Sequence, residues 1–290
     1  MTISLNPTEN LFDPSINKQN YSSISLSVQL SLNYLSFSII DNSQNKFLAI
    51  VNYTFPEKAS PYKLAEFLTK LFEYENLLKK DFKNIIISYE TIQSTLIPEE
   101  LFDSNQLETY LKFQFTDIED KSILHNFIEN QKIYSVFAIP TCIYTVFQNN
   151  LSNYKIIHSA HSFIESIYKN FNSQSNFNNK IFVDIDNYSF EMLIFRNNKL
   201  LLNNNFGFKT KEDFIYYLLY TLKQLNIDIQ SINLVLSGKI AINSSIFNLL
   251  SRYISNISFI ENKSYFTFSD ALAKTPSHQY YKLLNQILSI

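Results

Sequence analysis

The chain has 290 residues, 46% of them apolar and 17% charged, with a formal net charge of −2. This balance excludes the disordered class, and Lys and Arg scattered along the chain exclude the basic footprint of a nucleic-acid binder. The lone Cys142 rules out an internal disulfide and fits a reducing, cytoplasmic compartment.

At this length one hydrophobic core usually splits into two. Two glycines, Gly207 and Gly238, stand beside heavy use of Asn, Ile, Phe and Tyr, a composition that an AT-rich codon bias produces. Left-handed turns therefore fall in part to Asn.

Residues 1–20 carry no basic start followed by an apolar run, so no signal peptide is expected and the stretch reads as a tail. Residues 19–40 alternate polar and apolar, as in Ser27, Val28, Gln29 and Leu30, which is a strand pattern. Residues 133–154 are broken by Pro140 and several Asn, so the apolar run is too short for a bilayer and no membrane insertion is expected.

The stretch 28–41 (VQLSLNYLSFSIID) recurs as 183–196 (VDIDNYSFEMLIFR). Apolar residues match at Val28/Val183, Leu30/Ile185, Leu35/Phe190, Phe37/Met192 and Ile39/Ile194, the mark of an internal duplication. Lys46-Phe47-Leu48 then parallels Lys199-Leu200-Leu201, and Phe55 parallels Phe208. A helix follows in each half. The first opens at Ser60-Pro61 and places Leu64, Phe67, Leu68, Leu71 and Phe72 on one face. The second opens at Thr210 with Asp213 as a capping box and the stripe Phe214, Leu218, Leu222 and Leu225. Short buried strands follow at 84–88 and 233–237.

Each half thus reads strand, strand, strand, helix, strand. The first three form an antiparallel meander, and a right-handed crossover leads to a parallel fourth. In the first half a strand over 133–139, a helix from about Thr141, a strand near 155–158 and a helix over 160–170 complete the pattern. In the second, a helix from about Ser244, a strand over 257–260 and terminal helices near 269–274 and 277–289 are expected. Thr91–Asp120 has no counterpart and reads as an insertion of turns and one or two strands. The Asn/Ser-rich Asn172–Asn179 reads as a linker. The expected division is a tail over 1–20, a first half over 21–175 with its insertion at about 91–120, and a second half over 176–290.

Two α/β halves of mixed sheet flanked by helices, each opening on a three-stranded meander, resemble the duplicated actin-like fold with its ribonuclease-H-like halves. VDIDNYSFEML (183–193), NLVLSGKIAINSSIFNLLSRY (233–253) and FSDALAK (268–274) are similar to the second phosphate loop, the adenosine loop with its helix, and the closing helix of that superfamily. More narrowly, residues 20–290 resemble a bacterial family of unknown function, domain of unknown function 3822. Further carriers of that resemblance are TLIPEELFD (95–103) and VFAIPTCIYTVF (136–147). This family implies no activity.

The superfamily resemblance implies a nucleotide cleft to which Asp184, Asp186, Ser189, Gly238 and Lys239 would contribute. Asp184 takes the aspartate position of the second loop and Ser189 the hydroxyl position. Asp186, Asn187 and Tyr188 replace its glycines. In the first loop Gln29 takes the acidic position and Ser31-Leu32-Asn33-Tyr34 replaces the glycine-rich turn. Gly238 is followed by Lys239 where a second glycine is usual. Side chains at these points fill space that phosphates need, and Asp186 adds repulsion.

Other constellations are weaker. His158-x-x-His161 lies at a helix start with Glu165 one turn on, but lacks a third metal ligand fixed by spacing. Cys142, at the start of the helix expected from about Thr141, has no base assigned to it by spacing. Ser237-Gly238-Lys239 lacks the first glycine of a nucleophile elbow. Tyr216-Tyr217 and Tyr280-Tyr281 read mostly as core and helix face, with any exposed ring marking a partner surface. The expectation is a non-catalytic actin-like scaffold or adaptor with an unidentified protein partner, no nucleic acid, no catalytic residue, no metal and no cofactor. The alternative is a nucleotide-binding switch or kinase-like ATPase using ATP and Mg²⁺ in an unorthodox cleft.

Overall fold

The computed structural model describes residues 4–18, 21–171, 180–261 and 266–289. The expected linker Asn172–Asn179 lies outside the described residues. The chain divides into two units. One comprises Met1–Ser166, Ser264–Lys274 and Leu283–Ile290, the other Ile167–Lys263 and Thr275–Lys282.

In the first unit β1 (Glu9–Phe12) precedes the meander β2 (Ile24–Leu30), β3 (Tyr34–Asp41) and β4 (Lys46–Thr54). Helix α1 (Pro61–Tyr74) leads to β5 (Asn84–Tyr89). Its N-cap is Ser60, whose hydroxyl accepts from the Lys63 N–H, and Pro61 takes the first turn. Its buried face holds the expected Leu64, Phe67, Leu68, Leu71 and Phe72, with Ala65. Then follow β6 (Ser94–Pro98), α2 (Leu107–Lys112), β7 (Lys121–Ile128), β8 (Ile133–Pro140), α3 (Thr141–Asn150), β9 (Tyr154–His158) and α4 (Ser159–Phe171), whose residues from Ile167 on group with the second unit. The main sheet runs β1-β4-β3-β2-β5-β9, and β6-β8-β7 form a separate three-stranded sheet.

In the second unit come β10 (Lys180–Ile185), β11 (Ser189–Arg196), β12 (Lys199–Gly207), α5 (Lys211–Gln224), β13 (Asn233–Gly238), α6 (Ser245–Leu250) and β14 (Ile257–Phe259). The expected capping box forms: Asp213 N–H donates to Thr210 Oγ1 at 3.1 Å, and Thr210 N–H to the Asp213 carboxylate at 3.0 Å. The sheet order β12-β11-β10-β13-β14 repeats β4-β3-β2-β5-β9 strand for strand, with the same parallel and antiparallel pairings. Even a bulge recurs, between Ile39 and Ile40 in one sheet and between Ile194 and Phe195 in the other. Asn45, Asn153, Asn197, Asn198 and Asn226 adopt left-handed φ, as a chain with two glycines requires.

Several segments differ from their sequence reading. Residues 1–20 are not only a tail, because β1 pairs antiparallel with β4 and Ile16 is buried. The strand at 133–139 is the central strand of the separate sheet, so the chain without a counterpart in the other unit extends past Asp120 to β8. Asp270–Lys274 forms turns instead of a helix. Pro276 restricts the residue before it, and β15 (Thr267–Phe268) pairs with β4 of the first unit, leaving too few residues for a helix. The helix expected over 277–289 is α7 (Tyr281–Asn285), continued by a 3-10 turn over Gln286–Ser289. The segment ending at Lys274 and the segment from Leu283 group with the first unit, across the expected second half. Among the described residues no helix is long and apolar enough to cross a membrane.

Candidate functional site

Strand register builds a charged centre in the second unit. Asp184 on β10 lies opposite Glu191 on β11 and beside Ser237 on β13. Their neighbours Val183, Ile185, Phe190 and Leu236 fill the unit's core cluster, so strand alternation turns the polar three to the other face. There Lys282 of α7 places its ammonium 3.1 Å from Asp184 Oδ2 and 3.2 Å from Glu191 Oε2. Ser237 Oγ donates to Asp184 Oδ1 at 3.1 Å, and Asn203 Nδ2 donates to Glu191 Oε1 at 2.7 Å. Asp184, Glu191 and Lys282 are all buried. Burial pushes the Asp184 carboxyl above its ordinary range, against the pull of Lys282 and with a further push from Glu191.

Gly238 ends β13 at φ +83°, and a Cβ there would lie 2.2 Å from the Ile185 carbonyl oxygen and 2.7 Å from Asp184 Oδ1. Only glycine allows the close approach. Its N–H donates to the His278 carbonyl at 2.8 Å, and the Lys239 N–H to the Ile185 carbonyl at 2.6 Å. The Lys239 ammonium lies 2.7 Å from Asp186 in the β10–β11 turn. That turn closes through Asp186 N–H and the Ser189 carbonyl at 2.8 Å, with Asn187 and Tyr188 exposed. The structure thus brings Asp184, Asp186, Gly238 and Lys239 together, while Ser189 joins them through its backbone.

The equivalent place in the first unit is neutral. Gln29 on β2 lies opposite Ser36 and beside Ser88, where the second unit has Asp184, Glu191 and Ser237. Gln286 accepts from Ser88 Oγ at 2.8 Å and donates to the Val28 and Ile86 carbonyls at 3.0 and 3.1 Å. Ser36 Oγ donates to Asn52 Oδ1 at 2.7 Å. In the β2–β3 turn the Ser31 hydroxyl accepts from the N–H groups of Asn33 (3.0 Å) and Tyr34 (3.2 Å). The Leu32 carbonyl accepts from Ala59 N–H at 2.7 Å.

The other candidates separate. His158 ends β9, with Nε2 2.9 Å from the Thr91 carbonyl and Nδ1 accepting from Ala160 N–H. His161 lies 3.5 Å from Glu165. Among the described residues no three His, Cys, Asp or Glu side chains are grouped to hold a metal. Burial raises the Cys142 thiol, opposite to the lowering that a helix start can bring. Tyr216 and Tyr217 are exposed on α5, and Tyr280 and Tyr281 are buried.

Sequence reasoning missed Lys282, Glu191, Asn203 and Gln286. Lys282 and Gln286 sit four apart in YYKLLNQIL, which puts them on one helix face, but nothing in that spacing names a buried partner for either.

The fold places the protein among actin-like ATPase-fold proteins. A Bacteroides thetaiotaomicron protein with an actin-like ATPase fold and unknown function superposes with a TM-score of 0.74 at 24% identity, over 83% of this chain and 91% of that one. A PilM–PilN type IV pilus biogenesis complex matches with a TM-score of 0.58 at 10% identity, over 91% of this chain and 96% of that one. No curated protein matches the sequence. The chain belongs to the family described as protein of unknown function (DUF3822), whose model matches residues 13–257.

Proposed function

We propose that this is a non-catalytic actin-like protein that acts by binding another protein and needs neither nucleotide nor Mg²⁺. The observation that carries this reading is that groups suited to a phosphate already have partners within the chain. Phosphate cradles work by presenting backbone N–H groups to the ligand. At the β2–β3 turn those of Asn33 and Tyr34 donate to Ser31 Oγ. At the β10–β11 turn the Asp186 carboxylate repels a phosphate, and the Lys239 ammonium is held on that carboxylate. Phosphoryl transfer depends on positioned charge, so a site arranged this way lacks the means of catalysis. A fold neighbour found in a PilM–PilN complex supports a protein as the partner.

Affinity capture of the full chain from native lysate, with and without Mg-ATP, tests the reading. A stable stoichiometric partner indifferent to ATP is expected. Release of that partner by ATP would instead support a nucleotide-dependent switch.

A further inference from the structure

We propose that Asp184 and Glu191 form a cation site whose cation belongs to the chain: the Lys282 ammonium occupies it and keeps divalent metal out. The proposal deepens the nucleotide-independent reading and rests on it. Three features carry it. The outer oxygen of each carboxylate is pinned, Asp184 Oδ1 by Ser237 and Glu191 Oε1 by Asn203. The remaining oxygens, Oδ2 and Oε2, both face one point, where Nζ sits at 3.1 and 3.2 Å. Orienting ligands through outer partners in this way is how metal sites are built. Finally, Asp184, Glu191 and Lys282 are all buried, so the ammonium is the cation that the two carboxyl groups enclose.

Hard divalent cations bind carboxylate oxygens at about 2.0–2.6 Å. Each carboxylate would therefore need to close by roughly 1 Å on a metal, within side-chain reach. With Lys282 in place the point is filled, and a metal would have to expel a buried, paired ammonium. The fold class implies a metal beside such an aspartate, and this chain supplies a lysine instead.

Replacing Lys282 by Ala in the full chain, with Mn²⁺ as the probe, tests the proposal. Wild type is expected to take up no Mn²⁺, read by water-proton relaxation, and its Tm should not respond. Lys282→Ala should melt lower, bind one Mn²⁺ at least about tenfold more tightly than wild type, and recover Tm on binding. If the variant folds only with Mn²⁺, unfolding on chelation supports the proposal equally. Three results overturn it: Mn²⁺ bound by wild type and lost in Asp184→Asn, a folded Lys282→Ala that takes up no Mn²⁺, or a variant that stays unfolded with Mn²⁺ present. No arm contains nucleotide, so failure here is distinct from failure of the nucleotide-independent reading.

Discussion

The same sheet position is filled in two ways by the two units. In the first, Gln29, Ser36 and Ser88 hold the equivalent register positions, Ser88 meets the amide of Gln286 and Ser36 meets Asn52, so neutral groups pair with neutral ones. In the second, Asp184 and Glu191 meet the ammonium of Lys282, and Ser237 donates to Asp184. Strand order, pairing direction and the bulge coincide in both units. The difference therefore lies in the side chains at these positions and in the left-handed backbone of Gly238. A duplicated frame fixes where a buried polar cluster must sit but leaves open whether it is ionic.

The sharpest break in this comparison comes from removing each centre's helix-borne partner. Lys282→Ala strands two buried carboxylates and should cost about 3–5 kcal/mol in denaturant unfolding. Gly238→Ala ranks next. Its Cβ would meet the Ile185 carbonyl at 2.2 Å on a backbone at φ +83°, for a loss of about 3 kcal/mol. The first unit carries Tyr89 at the matching register position, so the strain belongs to the charged centre only. Gln286→Ala should cost about 1–3 kcal/mol, because it leaves Ser88 and two buried carbonyls without their amide partner. A loss equal to that of Lys282→Ala would erase the distinction between the centres.

The smallest effect has the opposite sign. Asp184 has a folded pKa above its ordinary value of 3.8, so the folded state holds the proton more tightly than the unfolded chain does. Its contribution to stability is intact below that ordinary value and declines as pH rises through the raised one. Asp184→Asn should therefore gain stability over wild type at neutral pH, by less than any of the three losses, and the gain should vanish near pH 3.8. Unfolding of both proteins across that range checks it. A destabilised Asp184→Asn at neutral pH would mean that Lys282 needs both carboxylates.

The frame was legible in the sequence because its signals are local. Val28/Val183 and Phe37/Met192 mark strands by alternation, and Ser60-Pro61 and Thr210-Asp213 mark helix starts by capping. The separate sheet β6-β8-β7 was not, since its pairing joins Ser94–Pro98 to Ile133–Phe137 across an intervening helix and strand. FSDALAK carries a helix-like pattern, yet Phe268 pairs with Phe47 in a strand, a contact no local rule anticipates. At the site, Asp184 and Gly238 were found through the family resemblance, and the spacing of the two strands then explains why they touch. Lys282 was beyond reach because a lysine in a short helix reads as surface until the helix is known to be buried.

Titration calorimetry of Mg-ATP against the wild-type protein bears most directly on the central claim. With the turn amides and Asp186 already engaged inside the chain, no binding heat is predicted. Micromolar binding that disappears in Asp184→Ala would contradict it.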